Sequence, residues 1–229
     1  MHPSLFRSRR FALIAILVAY VLIEAALWTR GRTQLAWSLV AAAWIVCATV
    51  LQKRSLQQLG IGAHGFLPSL WVAPAGLAAA LLMMLAGWSA GTLHGLYGPN
   101  PVLYHSFGYA LWAIEQEFIL QSFFYLNVEQ IAGNRLRSAV IATVLFAAAH
   151  LPNPLLVAAT LAIGICFTQL FRRYRNIYAL GIAHGLLGLA LAVSVPDHVH
   201  HHMRVGLGYL LYRPAAATPA PPILGLPQR

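Results

Sequence analysis

Acidic residues are almost missing from this chain: Glu24, Glu115, Glu117, Glu129 and Asp197 are all that its 229 residues contain. Charged residues of both signs amount to 9% and apolar ones to 59%, against roughly a quarter charged in an ordinary soluble domain. A water-facing surface cannot be assembled from that composition, so a soluble globular fold is excluded. Cysteine is equally scarce. Cys47 and Cys166 lie inside apolar stretches, where a thiol packs as a small soft side chain, and no disulfide framework is implied. The HExxH signature is absent, which removes the one-helix zinc site. No internal repeat is found, which argues against an inverted-repeat carrier.

What is present is apolar sequence punctuated by arginine. A net charge of +10 suggests nucleic acid only where basic residues gather on one exposed face with aromatic or polar readers. Here they separate apolar runs, the pattern that orients membrane helices, so the expected partners are the lipid bilayer and a membrane-associated protein or peptide substrate, with no nucleic acid. About 20 apolar helical residues cross a bilayer. That template predicts an all-α, polytopic membrane helical bundle of about seven transmembrane helices, six to eight, near Phe11–Trp28, Leu35–Leu51, Phe66–Leu93, Val102–Val128, Arg137–Leu151, Pro154–Phe171 and Ile177–Val195. The first run is too long for a signal peptide and lacks a small-x-small cleavage site, so it reads as a retained span.

With the amino terminus inside, the inner connections hold Arg7, Arg9, Arg10, Lys53, Arg54, Arg135, Arg137, Arg172, Arg173 and Arg175, whereas Arg30, Arg32, Arg204, Arg213 and Arg229 fall outside. This asymmetry predicts a multi-pass protein of a bacterial inner membrane with a cytoplasmic amino terminus. The chain divides into a basic terminus over 1–10, amino-terminal helices over 11–101, a chemical core over 102–195, and a histidine-rich segment with a disordered Pro/Ala tail over 196–229. The connection KRSLQQLGIGAHG reads as a short surface turn without chemistry.

Charge inside an apolar run needs a reason, because it costs about 2.5 to 3.5 kcal/mol at the bilayer centre. Glu115 and Glu117 fall halfway along GYALWAIEQEFILQSFFYL, about 15 Å deep at 1.5 Å per residue. Gln121 follows Glu117 by one turn and gives it a polar partner, while Glu115 points about 160° away. His150 ends one apolar run and His184 sits within another, at depths of about 20 Å and 10 Å against about 17 Å for Glu117, a spread that helix tilt closes. A carboxylate and two imidazoles in a shielded hollow can activate water, glutamate taking the proton and histidine positioning it or stabilising an oxyanion.

Three segments carry a resemblance: QEFILQ, then FAAAH at Phe146 to His150 followed by LPNP, then HGLLG at His184 to Gly188. As a set, over roughly Leu103 to Val195, they resemble the CPBP family of intramembrane proteases, also called the CAAX protease and bacteriocin-processing, or Abi, family, whose motifs are EExxxR, FxxxH and HxxxN or HxxxD. The resemblance implies an intramembrane, metal-independent glutamic-type endopeptidase with no cofactor, in which His150 and His184 fall on the family's histidines and the first glutamate of its opening motif is the one usually considered catalytic. The middle motif matches in full. If Gln121 stands for the arginine, Gln116 falls on the first glutamate, and Gly188 replaces the closing asparagine or aspartate. Glu117 with Gln121 orienting it is then the favoured base, and Glu115 the alternative if a helix distortion brings it round. Asn153 or a tail histidine is expected to supply the missing oxyanion donor. These departures also motivate an inactive scaffold, chaperone or immunity protein of the same fold, and the buried relay a proton-coupled carrier. The segment DHVHHHMRVG, with Asp197, His198, His200, His201 and His202, is by composition either a metal-binding tract or an interfacial segment.

Overall fold

The computed structural model describes residues 5–95 and 102–213, all secondary structure among them being helical. Ser8 accepts a hydrogen bond from the Phe11 N–H at 3.1 Å and opens α1 (Arg9–Leu27), the capping expected of a serine before an apolar run. A short turn leads into α2 (Gly31–Leu51). The α1–α2 seam is made of small residues: Ala12, Ala15 and Ala19 on one side and Ala41 and Ala48 on the other are buried, and close approach lets the Trp44 indole donate to the Ala15 carbonyl at 3.1 Å.

Two short helices, α3 (Leu56–Leu59) and α4 (Phe66–Ser69), precede α5 (Val72–Ser89). A continuous rod follows, made of α6 (Val102–Glu117), a π-helix (Phe118–Tyr125) and α7 (Leu126–Ala132). The remaining elements are α8 (Arg135–Ala148), α9 (Pro154–Tyr174), α10 (Tyr178–Ser194), α11 (Asp197–His200) and α12 (Gly206–Leu210). A helix stands at each of the seven expected places. Four segments, Arg9–Leu27, Gly31–Leu51, Phe66–Ser89 and Pro154–Tyr174, have the length and apolarity of a membrane crossing, and α10 is a shorter apolar helix. The fifth expected span is shorter than a crossing, ending at Ala148 before the turn that holds His150. The expected disordered tail at 214–229 lies outside the described residues.

Helix α10 runs antiparallel to α6 and packs on it through glycines. A Cβ at Gly181 would strike Ile114, and one at Gly185 would stand 3.5 Å from the Cα of Ala110. The opposite side of α10 meets α5 as closely, since a Cβ at Gly76 would lie 2.7 Å from that of Ala183. Small residues at the seam are how helices approach where lipid gives no hydrophobic drive. This fixes the height of His184 on α10 relative to Glu117 on the rod.

The connection after α2 is not the featureless turn expected of it. Arg54 donates to the Ser122 carbonyl at 3.3 Å, to Asn127 Oδ1 at 3.1 Å and to Gln130 Oε1 at 3.1 Å, while Gln52 Nε2 donates to Asn127 Oδ1 at 2.6 Å. A π-helix widens the turn and disturbs the regular ladder, so a donor at the Ser122 carbonyl steadies the distortion. Burial draws the Arg54 guanidinium down to about 10, with Glu129 opposing and Arg7 and Arg175 adding to the shift. Arg7, Arg54 and Arg175, assigned to one side of the bilayer from three separate connections, line one cavity of about 500 Å³.

Candidate active site

Each of the five acidic residues can be judged by its partners. Glu24 takes the Trp28 indole N–H at 2.9 Å, and Glu129 takes the Tyr125 hydroxyl at 2.7 Å beside Arg135 and Arg175. Asp197 sits among imidazoles. Glu117 is 1% exposed, closes α6 where the π-helix begins, and has both oxygens engaged. Its Oε1 accepts from His184 Nδ1 at 2.8 Å and its Oε2 from Gln121 Nε2 at 3.1 Å. The spacing-based pairing of Glu117 with Gln121 is thus present as geometry. Glu115 is exposed and has no polar partner among the described residues.

His150 follows Phe146 by one turn, as FxxxH spacing requires. Its Nδ1 donates to the Phe146 carbonyl at 2.8 Å and its ring stands 5.0 Å from the phenyl ring. Because a carbonyl only accepts, the proton is on Nδ1, and neutral His150 offers a lone pair at Nε2. His184 is held by Glu117 and edges onto Phe167 at 6.5 Å. Glu115, Gln116, Glu117, Phe146, His150, His184 and Gly188 all border one cavity of about 690 Å³. The structure therefore brings together the residues of all three sequence segments, on α6, the α8 terminus and α10. Gln121 is fully buried below this cavity, with its Oε1 unpartnered among the described residues.

Asn153 does not join them. Its Oδ1 accepts from the Leu156 N–H at 3.2 Å, capping α9, and its Nδ2 donates to the carbonyls of His200 and Arg204 at 2.9 and 3.0 Å. It is fully buried, and no donor is left over for a substrate. The Asn-Pro pair that opens α9 was a capping signal.

The segment after α10 is folded, and its order follows from backbone bonds rather than composition. His200 Nε2 donates to the Val195 carbonyl at 2.7 Å, and its Nδ1 accepts from the Met203 N–H at 3.0 Å. The Gly206 N–H donates to the Leu151 carbonyl at 2.8 Å. Met203, Arg204, Val205 and Gly208 consequently border the 690 Å³ cavity, a contribution that composition gave no means of seeing. His94 Nε2 and His200 Nε2 lie 3.6 and 3.8 Å from Asp197 Oδ1, and His202 Nε2 lies 3.1 Å from Asp197 Oδ2. His94, Asp197 and His200 are close enough to be tested as metal ligands. His200 fits poorly, since coordination through Nε2 would break its bond to Val195 and force a proton onto the nitrogen facing Met203. Burial holds the His200 imidazole below its usual range, in keeping with a neutral ring that both donates and accepts.

Comparison with known protein families gives a match to part of the chain. The family described as type II CAAX prenyl endopeptidase Rce1-like, within the CPBP group, matches residues 98–190. That stretch, similar to a family of membrane proteases, contains Glu117, His150 and His184 and nearly coincides with the span read from the three motifs. No curated protein matches the chain, and no solved structure does.

Proposed function

We propose that this integral membrane protein is an endopeptidase that hydrolyses a peptide bond of a membrane-associated substrate, with Glu117 as the base. The observation that supports this most is the buried Glu117 carboxylate, hydrogen-bonded to His184 at 2.8 Å on the wall of a cavity that His150 also borders. A carboxylate at membrane depth is costly unless it is used and compensated, and both compensating groups lie in one helical bundle similar over residues 98–190 to prenyl endopeptidases.

The chemistry follows from the proton inventory. A water between Glu117 and the His150 Nε2 lone pair is polarised by both acceptors. Its oxygen attacks the scissile carbonyl carbon, its proton passes to Glu117, and the carbonyl π pair moves onto oxygen. Collapse of the tetrahedral intermediate re-forms the carbonyl and breaks the C–N bond, and the proton held by Glu117 goes to the departing amine. His184 keeps the carboxylate oriented, and Gln121 holds its other oxygen. We place the protein in a bacterial inner membrane with its amino terminus in the cytoplasm, the assignment supported by the shared cavity of Arg7, Arg54 and Arg175.

The test uses the purified full-length protein in proteoliposomes with a fluorescence-quenched farnesylated Cys-a-a-X peptide. Cleavage is expected in the parent and is expected to be lost in Glu117→Ala, His150→Ala and His184→Ala variants that still fold; full cleavage by all three would reject the assignment. The glutamine at 116 and glycine at 188 support a second reading, an inactive scaffold of the same fold. An inert parent that gains strong cleavage on restoring Gln116→Glu, Gln121→Arg and Gly188→Asn would favour that reading.

A further inference from the structure

Gly188 lies one turn beyond His184 on the same face of α10, and both border the cavity of Glu117 and His150. The space beside Gly188 is taken. A Cβ at 188 would collide with the hydroxyl of Tyr109 on α6 and stand 2.8 Å from its Cζ. Glycine at 188 and tyrosine at 109 are thus a matched pair: any side chain at 188 would displace the phenol. Tyr109 also borders the cavity, and its hydroxyl has no hydrogen-bond partner among the described residues. Tyr109 is half-buried and its hydroxyl is not among the enclosed unpartnered atoms of the described residues, so this donor stays accessible to something that enters the cavity.

Hydrolysis creates a need for such a donor. The tetrahedral intermediate carries negative charge on the former carbonyl oxygen and is stabilised by donors already aimed at it. The donors already in the site are largely committed. His150 spends its Nδ1–H on Phe146 and turns the Nε2 lone pair of its neutral ring outward, and the Nδ1–H of His184 is spent on Glu117. Gln121 donates to Glu117, and Asn153 is consumed by α9 and the segment after α10.

We propose that Tyr109 is a catalytic residue whose O–H donates to the oxyanion, and that Gly188 is glycine because it must seat that phenol. The proposal rests on the hydrolytic reading above. In the addition step the Tyr109 proton stays on its own oxygen while shared with the oxyanion. When the C–N bond breaks, the carbonyl re-forms and the hydrogen bond weakens again, so the proton count of the reaction is unchanged.

The experiment measures kcat and KM of the full-length protein in proteoliposomes on the farnesylated Cys-a-a-X peptide for the parent, Tyr109→Phe, Gln116→Ala, Glu117→Gln and the double variant Tyr109→Ala with Gly188→Asn beside Tyr109→Ala alone. Removing one oxyanion donor lowers kcat by roughly 100-fold, so Tyr109→Phe is expected to lose about that factor with KM within about twofold. The double variant, whose carboxamide enters the space vacated by the phenol, is expected to recover at least about tenfold over Tyr109→Ala, a rescue that a merely structural tyrosine would not show. Full kcat in Tyr109→Phe with Glu117→Gln inert overturns the proposal and leaves the hydrolytic reading standing. So does a defect confined to KM, an absent rescue, or a kcat loss found only in Gln116→Ala. Cleavage unaffected by Glu117→Gln, or a parent inert on the peptide, removes the hydrolytic reading and this proposal with it.

Discussion

Helices α1, α2 and α5 turn their large apolar side chains outward, with Leu17, Val21, Leu39 and Leu81 each 55 to 65% exposed, whereas every residue from Leu120 to Val128 in the rod is buried. Both regions draw on a similar apolar alphabet. In the first, the seam needs only small residues such as Ala15 and Ala48, and the outer face needs only to match lipid. In the second, Gln121, Ser122 and Asn127 are enclosed, and each must find a hydrogen bond or cost the bundle stability. The difference separates a part of the protein that tolerates change from a part where each polar atom fixes a neighbour. Glu117 belongs to the second part, at the junction where regular helix gives way to the π-helix.

The largest break of this comparison is expected at His184. His184→Ala should lower kcat by about 1000-fold, within the range for loss of an acid–base partner, and, by leaving the buried Glu117 Oε1 without its donor, should also lower the unfolding midpoint in detergent; parental turnover would detach the histidine from the chemistry. Next comes the polar network under the π-helix. Asn127→Ala strips the shared acceptor from Gln52 and Arg54 and should cost about 2 to 4 kcal/mol, the penalty for leaving buried donors unmatched, seen as a lowered midpoint in denaturant titration.

A smaller effect is expected from acid. The folded state of His200 prefers the neutral ring, so the unfolded segment binds the proton more readily. Its stabilising effect is complete above the ordinary imidazole value, about 6.5, and is lost as pH falls below it. Protection of the Met203 and Gly206 amides, taken against the intrinsic exchange rate at each pH, should therefore fall as pH drops below about 6.5, and unchanged protection would contradict the assigned role. Smallest of all, Leu81→Ala on the outer face of α5 should stay within about 0.5 kcal/mol and leave cleavage unchanged; a large loss would mean that this face is covered by a partner.

Much of the candidate site's geometry was legible because membrane sequence is so poor in polar residues that each one is informative. Glu117 with Gln121 followed from the helical repeat, and His150 and His184 from counting depth along apolar runs. The helical class and the placement of the seven segments followed from the runs themselves. Other features left no such mark. Nothing in FILQSFFY announces a widened turn, because a π-helix depends on what Arg54 and Leu59 offer from another part of the chain. Arg54 itself was hidden by its place in a Gly-rich connection. The histidine-rich segment was read by composition, yet its conformation rests on bonds from His200 and Gly206 to backbone groups, which composition cannot express. Gly188 was visible only as a vacancy, since its occupant, Tyr109, comes from another helix.

Of the two carboxylates on α6 only Glu117 is proposed as the base, and a side-by-side assay of Glu117→Gln and Glu115→Gln on the farnesylated peptide separates them. Glu117→Gln is expected to be inert, by a factor of about 1000 or more, while Glu115→Gln is expected to cleave within a few-fold of the parent. Full activity in Glu117→Gln together with an inert Glu115→Gln would contradict that proposal.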